Sequence, residues 1–301
     1  MRLSTVEQLL QRLDEVVAAH ERGDRTSRES EHFWEKVLTI PNHPLNTNLP
    51  DEPLVDWYER GLLGDLHEAP VLDVGCGNGR NSAWLASKGA KVTGIDIATE
   101  LLEVVRPRMP EGVTLLPVDV LREELPGDAF DLVYDSGCFH HLAPHRRITY
   151  LEQVMPRVAR AGKYGIVAFA QERQPSPSDT EILITGDTAG GTSFTLTDLE
   201  TIFSPYLKLD EARPVAAGIS ETFGADFLNA ALFTQRKQGR SGIGQASDPR
   251  HSRTLPAAEN RGKPVHGLCA PERAISAISG AFVVARRVHN ARPVERPTLG
   301  G

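Results

Sequence analysis

A glycine-rich stretch, VLDVGCGNGRN at residues 71–81, constrains the fold of this 301-residue chain more than any other feature. An apolar run leads into the stretch, and a polar run follows it. Glycines between a strand and a helix allow a tight turn and a close approach of the backbone to a ligand. The stretch therefore predicts a strand, a loop and a helix that bind a nucleotide-like cofactor.

The rest of the central region alternates between apolar, strand-like runs and helix-like segments. Strands are predicted at 71–74, 91–96, 113–118, 131–135 and 164–170. Helices are predicted at about 80–88, 99–106 and 145–159. Two further runs, 206–215 and 226–236, have no convincing helix between them and predict an antiparallel hairpin. This alternation indicates an α/β fold with a doubly wound, Rossmann-like sheet.

The two ends of the chain differ from the central region in periodicity and composition. Helical periodicity at 4–22 and 26–39 predicts a helical segment over residues 1–62, ahead of a core domain at 63–237. Residues 238–301 are rich in Arg, Gly and Pro, and hold ten Lys and Arg against four Asp and Glu. We expect this basic tail to be disordered and to have no catalytic role.

Composition excludes several classes of protein. The formal net charge of −7 argues against a nucleic-acid partner that binds through broad electrostatics. The three cysteines are far apart and form no CxxC pair, so neither a disulfide framework nor a cysteine metal site is expected. No apolar run approaches the roughly 20 residues that span a bilayer. We expect a cytoplasmic protein with no membrane contact, and its oligomeric state stays open.

The spacing of the glycines distinguishes between two kinds of cofactor. Gly75, Gly77 and Gly79 give GxGxG, whereas a dinucleotide loop is GxGxxG and would need a glycine where Arg80 stands. Asp73 lies within the preceding strand. A carboxylate near the loop suits the cationic sulfonium of S-adenosylmethionine (SAM) better than it suits a pyrophosphate, which prefers the positive end of a helix.

Three further carboxylates follow the predicted strands. Asp96 ends the second strand, 21 residues after Gly75, where a carboxylate can accept both ribose hydroxyls. Asp119 ends the third strand and Asp135 ends the fourth. Open α/β sheets bind ligands at the carboxyl ends of their strands. Asp96 and Asp119 alone could be helix caps, but together with the loop and the other carboxylates they favour a cofactor site.

Together with these residues, the segment at 71–98 resembles the cofactor half of class I SAM-dependent methyltransferases. Its sequence is VLDVGCGNGRNSAWLASKGAKVTGIDIA. The GCGNGRNS loop resembles the thiopurine and tellurite-resistance methyltransferase-like branch, and the resemblance covers roughly residues 65–237. It implies a seven-stranded sheet whose last strand is antiparallel, which agrees with the predicted hairpin.

The resemblance also implies which residues hold SAM. Gly75, Cys76 and Gly77 would contact the methionine end, with Asp73 near its amino group and Asn81 a further candidate. Asp96 and Ile97 would hold the ribose and flank the adenine, which Asp119 and Val120 would bracket from the other side. Asp135 and Ser136 complete the predicted set.

The segment after the fourth strand, YDSGCFHHLAPHRRITYL at 134–151, supplies candidates for chemistry. His140 or His141 could accept a proton from the substrate, or could line the pocket without chemistry. Cys138 is a pocket candidate, although a small buried cysteine is the commoner outcome. Because adjacent histidines tend to point apart, no metal site is expected here. Arg146 and Arg147 are expected to face solvent.

The N-terminal segment at 31–58 resembles the lid that precedes the core in thiopurine methyltransferase-like enzymes. The resemblance implies that five of its residues lie near the substrate pocket: Trp34, Asn42, His43, Asn46 and Asn48. The alternative for Trp34 is that it only docks the segment on the core.

These observations predict a SAM-dependent methyltransferase that acts on a small molecule. The resemblance slightly favours a sulfur, selenium, tellurium or halide acceptor, and an amine or hydroxyl with a histidine base comes next. Two alternatives remain: a nicotinamide-dependent oxidoreductase, and a protein that binds SAM or S-adenosylhomocysteine (SAH) without turnover.

Deletion of residues 238–301 should leave SAM affinity and methyl transfer within about twofold of the full chain, because every predicted site residue precedes the tail. Calorimetry and a turnover assay measure both. Deletion from residue 226 is the control and should abolish folding, because it removes a predicted strand. An inactive 1–237 fragment that still folds would contradict the prediction of a dispensable tail.

Overall fold

A central β-sheet organises the protein. The structure is a computed structural model that describes residues 2–20, 22, 25, 30–40, 47–218 and 221–236. Within these residues the strands are β1 (Pro70–Val74), β2 (Lys91–Asp96), β3 (Val113–Pro117), β4 (Phe130–Ser136), β5 (Val158–Ala170), β6 (Ser193–Phe194), β7 (Leu207–Pro214) and β8 (Leu228–Gln235). The basic tail lies outside the described residues, so its predicted disorder stays a prediction.

The strand order confirms the predicted doubly wound sheet. The main path runs β3-β2-β1-β4-β5-β8-β7, with parallel pairing from β3 through β5. β8 is antiparallel to both of its neighbours, β5 and β7, so the hairpin forms and the last strand is the reversed one. One strand was not predicted: β6 has two residues and pairs in parallel with the end of β5.

Helices cover both faces of this sheet. Among the described residues the helices are α1 (Val6–Ala18), α2 (Ser30–Thr39), α3 (Glu52–Glu59), α4 (Arg80–Ser87), α5 (Thr99–Val105), α6 (Pro144–Val154), α7 (Asp179–Thr185) and α8 (Leu196–Phe203). Adjacent residues of β1 belong to different cores, because Val71 packs with Leu54 and Trp57 whereas Leu72 packs in the cluster of Tyr164 and Phe203. Strands buried on both faces explain the nearly continuous apolar runs in the sequence.

The sixth helix is shorter than the sequence predicts. A helix was expected over 145–159, but α6 ends at Val154 and a 3₁₀ turn occupies Met155–Arg157. Pro156 within that turn lacks an amide proton and cannot continue the helical hydrogen bonds. β5 then begins at Val158, six residues before its predicted start.

The N-terminal helices pack against the helices of the core. α1 contacts α6 and α7, and α2 contacts α5. Both helices fall within the predicted ranges 4–22 and 26–39 but are shorter than those ranges. Among the described residues, no helix combines the length and the apolar character needed to cross a bilayer.

A carboxylate on α1 anchors that helix to α6. Asp14 Oδ1 accepts hydrogen bonds from His145 Nε2 at 2.7 Å and from Arg146 Nε at 2.9 Å. Arg122 adds a longer contact, with Nη2 at 3.5 Å from Asp14 Oδ2. Burial raises the pKa of Asp14, but His145 and Arg146 together outweigh it and lower the pKa to about 2.

The same region corrects a prediction about two arginines. Arg146 and Arg147 were expected to face solvent, but they are only 3% and 6% exposed. Arg146 is enclosed by its pairing with Asp14, and Arg147 pairs with Asp179 at 2.8 Å. Both carboxylates come from distant parts of the chain, so the local pattern of α6 contains no sign of them.

Asp14→Asn should lower the free energy of unfolding at pH 7 by about 2 kcal/mol, because the carboxylate has a lower pKa in the folded than in the unfolded chain. The wild-type advantage should be complete above pH ~4 and should disappear as the pH falls towards the folded-state pKa of about 2. Urea denaturation at several pH values measures this difference. Glu111→Gln, at an exposed position, is the control. An Asp14→Asn deficit that persists unchanged at pH 2 would show that the carboxylate charge is not the anchor.

Candidate functional site

The glycine loop lies between β1 and α4, at the carboxyl end of the sheet. Gly75, Gly77 and Gly79 all have positive φ angles, between 52° and 75°, which glycine adopts without steric cost. A Cβ at position 75 would lie 2.7 Å from the Cβ of Cys138, so this glycine also permits the loop after β4 to pack closely. The loop is a compact backbone cradle, as the sequence predicts.

Asp96 fastens the glycine loop to the end of β2. One carboxylate oxygen accepts the Gly77 amide proton at 2.8 Å, and the other accepts the Ala98 amide proton at 2.9 Å. Asp96 is 8% exposed, and burial raises its pKa. Ile97, the next residue, is half-buried. Each Asp96 oxygen carries a second lone pair that can accept from a hydroxyl group.

Asp73 lies deeper, within β1. Its Oδ2 accepts a hydrogen bond from Ser82 Oγ at 2.6 Å and so joins the strand to α4. Burial raises the pKa of Asp73 to about 6. Cys76, in the loop itself, is also buried, and burial raises the pKa of its thiol well above the usual range.

Asp119 and Val120 follow β3, and Asp119 is only 8% exposed. Asp119 Oδ1 accepts the Leu121 amide proton at 2.9 Å, and Oδ2 accepts from Arg122 Nη1 at the same distance. Because Arg122 also approaches Asp14, it links this strand end to α1. Asp119 therefore caps its own turn in addition to lying at the predicted edge of the sheet.

Asp135 organises the loop after β4. It is fully buried, and it accepts the Cys138 amide proton at 2.9 Å and the Tyr150 hydroxyl proton at 2.7 Å. Burial raises the pKa of Asp135 to about 7. These contacts are with the protein's own groups, so in this structure Asp135 shapes the loop after β4. Ser136 Oγ accepts a hydrogen bond from Arg80 Nη2 at 3.1 Å.

A buried carboxylate that was not predicted lies against the start of α4, directly after the glycine loop. Asp51 is 2% exposed and forms an ion pair with Arg80 at 2.6 Å. It also accepts from Asn81 Nδ2 at 3.0 Å and from the Tyr134 hydroxyl at 2.8 Å. The Asn81 amide, predicted to contact the cofactor, is therefore engaged with Asp51. The one sequence signal was that Asp51 stands directly before a helix that begins with Glu-Pro.

The segment that leads into α3 runs along the glycine loop. The Thr47 carbonyl accepts from Asn78 Nδ2 at 2.9 Å, and the Leu49 carbonyl accepts from Arg80 Nη1 at 3.0 Å. Asn48 lies between these contacts and is exposed. The predicted pocket residues Asn42, His43 and Asn46 are outside the described residues.

The predicted chemical residues meet in an aromatic cluster. His140 Nε2 and His141 Nε2 are 3.0 Å apart, so the expectation that the adjacent histidines point apart is wrong. The His140 ring stacks on Phe169, with 3.8 Å between centroids, and Trp34 packs edge-on to His141 at 4.5 Å. A 3₁₀ turn at Phe139–His141 brings the two imidazoles together. Trp34 thus docks α2 directly on the histidine pair.

Two features of this cluster were not predicted. Phe169 comes from the end of β5, and the Gly190 carbonyl oxygen lies 3.0 Å from His141 Nδ1. Burial lowers the pKa of His141 to about 3 and that of His140 well below its usual value. Cys138 is half-buried, and burial raises its thiol pKa well above the usual range, so the thiol is neutral. Among the described residues, no group of three or more potential ligands could hold a metal ion.

Comparison with known proteins agrees with this geometry. Residues 71–162 match the family model of the methyltransferase domain. An uncharacterized methyltransferase from Mycobacterium tuberculosis is 31% identical over 129 residues, which are 42% of this chain and 62% of that protein. A ubiquinone biosynthesis O-methyltransferase from Bordetella parapertussis is 43% identical over 125 residues, which are 40% of this chain and 49% of that protein. The chain therefore spans less than two thirds of the length of either relative.

Solved structures show lower similarity. The 1,6-didemethyltoxoflavin-N1-methyltransferase of Burkholderia thailandensis is 20% identical, with a TM-score of 0.49 and coverage of 78% of this chain and 92% of that chain. A TehB-like methyltransferase from Corynebacterium glutamicum is 18% identical, with a TM-score of 0.43 and coverage of 65% of this chain and all of that chain. The thiopurine and tellurite-resistance branch therefore stays a prediction. The broader class has support from the family match, since residues 71–162 of this chain match the methyltransferase domain.

Proposed function

We propose that the protein is a SAM-dependent methyltransferase that acts on a small-molecule acceptor. One hydrogen bond carries this proposal: the Asp96 carboxylate accepts the Gly77 amide proton of the glycine loop at 2.8 Å. Both residues lie within the segment that matches the methyltransferase domain. The hydrogen bond holds a carboxylate that can bind hydroxyl groups beside a glycine backbone that a ligand can approach closely. A nucleoside cofactor requires both features.

The charges around the loop support SAM rather than a dinucleotide. Asp73, Asp96 and Asp135 are buried near one another, and burial raises the pKa of each. Asp96 adds further repulsion to Asp73. A cationic ligand relieves such repulsion, whereas a pyrophosphate would increase it. Arg80, which stands where a dinucleotide loop has its third glycine, is paired with Asp51.

The proposed roles of the residues follow the order that the resemblance implies. In this proposal Gly75, Cys76 and Gly77 hold the methionine end, and Asp96 with Ile97 holds the ribose. Asp119 and Val120 bracket the adenine. Asn81, Asp135 and Ser136 support the residues that contact SAM and do not contact it themselves. Asn81 is hydrogen-bonded to Asp51, and Asp135 is hydrogen-bonded to the loop after β4. When bound, SAM supplies an electrophilic methyl group.

A labelled-methyl assay tests the activity. The protein is incubated with methyl-labelled SAM and a panel of probes: catechol and 4-hydroxybenzoate as hydroxyls, histamine as an amine, and iodide and dimethyl sulfide as acceptors without a proton. Transfer of label to any probe, with formation of SAH, is the expected result. Tight binding of SAM and SAH with no transfer to a widened acceptor panel would favour a protein that only binds these ligands.

Asp96→Ala should weaken SAM binding by about 1–3 kcal/mol, the range for loss of a charged hydrogen-bond partner. This corresponds to a roughly 5- to 150-fold higher Kd. Isothermal titration calorimetry measures the change.

Asp96 also holds the loop backbone, so the folding of the variant must be measured separately. Glu111→Gln, far from the loop in sequence and exposed, should bind SAM as the wild type does. An Asp96→Ala variant that is folded and binds SAM with wild-type affinity would refute the ribose assignment.

A further inference from the structure

The two buried histidines form a hydrogen-bonded chain that ends at a carbonyl group. His141 Nδ1 is 3.0 Å from the Gly190 carbonyl oxygen, and His141 Nε2 is 3.0 Å from His140 Nε2. The backbone fixes both ends of this arrangement. Thr192 donates its amide proton to the His140 carbonyl at 2.6 Å, so the loop of Gly190 is held against the turn that carries the histidines.

This geometry determines which nitrogen carries each proton. A carbonyl oxygen only accepts, so His141 Nδ1 must be protonated. A neutral imidazole has one N–H, and therefore His141 Nε2 is an acceptor. The contact between the rings then requires the proton on His140 Nε2. By the same argument, His140 Nδ1 carries no proton and offers a lone pair.

That lone pair has no hydrogen-bond partner among the residues that the structure describes. The His140 side chain is 4% exposed and lies flat on Phe169. A buried polar atom without a partner is costly, and such atoms in folded proteins call for an explanation. Burial also opposes protonation of both rings, which keeps the pair neutral.

We propose that His140 Nδ1 accepts the proton of the methyl acceptor, and that the acceptor is therefore a hydroxyl or an amine rather than a halide or another nucleophile without a proton. The inference rests on the proposed function and names the acceptor class of that same site. It reverses the slight preference that the sequence resemblance gave to sulfur, selenium, tellurium or halide. The aromatic rings of Phe169 and Trp34 at the pair suit an acceptor with an apolar body.

Transfer to an acceptor X–H forms the X–C bond, breaks the S–C bond of SAM with its electron pair left on sulfur, and releases the X–H proton. His140 Nδ1 takes this proton. The proton on His140 Nε2 can pass to His141 Nε2, so the positive charge ends on a ring whose Nδ1–H faces the Gly190 carbonyl. The site then carries the same net charge as before, because the sulfonium has become a neutral thioether.

Nitrogen NMR tests the proton assignment without any turnover. Protein with ¹⁵N-labelled histidine and bound SAH is studied by long-range ¹H–¹⁵N correlation, with His140→Gln and His141→Gln used to assign the signals. We expect the Nε2–H tautomer for His140 and the Nδ1–H tautomer for His141. The opposite tautomer at either ring, or a protonated pair at pH 7, would overturn the inference.

The labelled-methyl assay tests the chemical role. We expect catechol, 4-hydroxybenzoate or histamine to be methylated, and His140→Gln to slow that reaction at least 100-fold while its Kd for SAM stays within threefold. His67→Gln, at an exposed position, is the matched control and should keep full activity. Methylation of iodide or dimethyl sulfide alone, or a His140→Gln rate within threefold of wild type, would overturn the inference but leave the proposed function intact. Failure of the wild type to bind SAM would overturn the proposed function itself.

Discussion

A buried ion pair between Asp51 and Arg80 joins the chain segments that form the candidate site. Arg80 begins α4 directly after the glycine loop, and Asp51 directly precedes α3, so their contact at 2.6 Å joins the N-terminal segment to the cofactor loop. Phe223, between β7 and β8, extends the connection: it donates its amide proton to the Pro50 carbonyl and accepts the Glu52 amide proton, both at 2.7 Å. Removing one partner of such a pair leaves a buried charge uncompensated, which is far more costly than an exposed pair is worth.

The acidic residues at the carboxyl end of the sheet divide into two groups. Asp51 and Asp135 are enclosed and use their oxygens on the protein's own donors, so they set the shape of the loops. Asp96 and Asp119 are each 8% exposed, and in each residue the two oxygens accept from different protein donors. A carboxylate has about four acceptor sites, so lone pairs remain for a ligand. In our account the first group builds the cradle and the second group contacts the cofactor.

Much of this arrangement follows from local sequence. The apolar runs predicted the strands, and the glycines with Asp96 predicted the loop, because these elements depend on neighbouring residues. The hairpin was predicted because no helix separates the last two apolar runs. The enclosure of Arg146 could not be predicted, since Asp14 is 132 residues away. The histidine contact was missed for a similar reason: the Gly190 carbonyl that orients His141 comes from a loop 49 residues later.

Calorimetric titration of the full chain with SAM, SAH and NADH, in parallel, shows which kind of cofactor the glycine loop binds. We propose that buried carboxylates around the glycine loop select a cationic nucleoside cofactor over a pyrophosphate. We expect micromolar binding of SAM and SAH and no measurable binding of NADH. Binding of NADH alone would contradict this proposal, and the methyl-transfer function would then have to be abandoned.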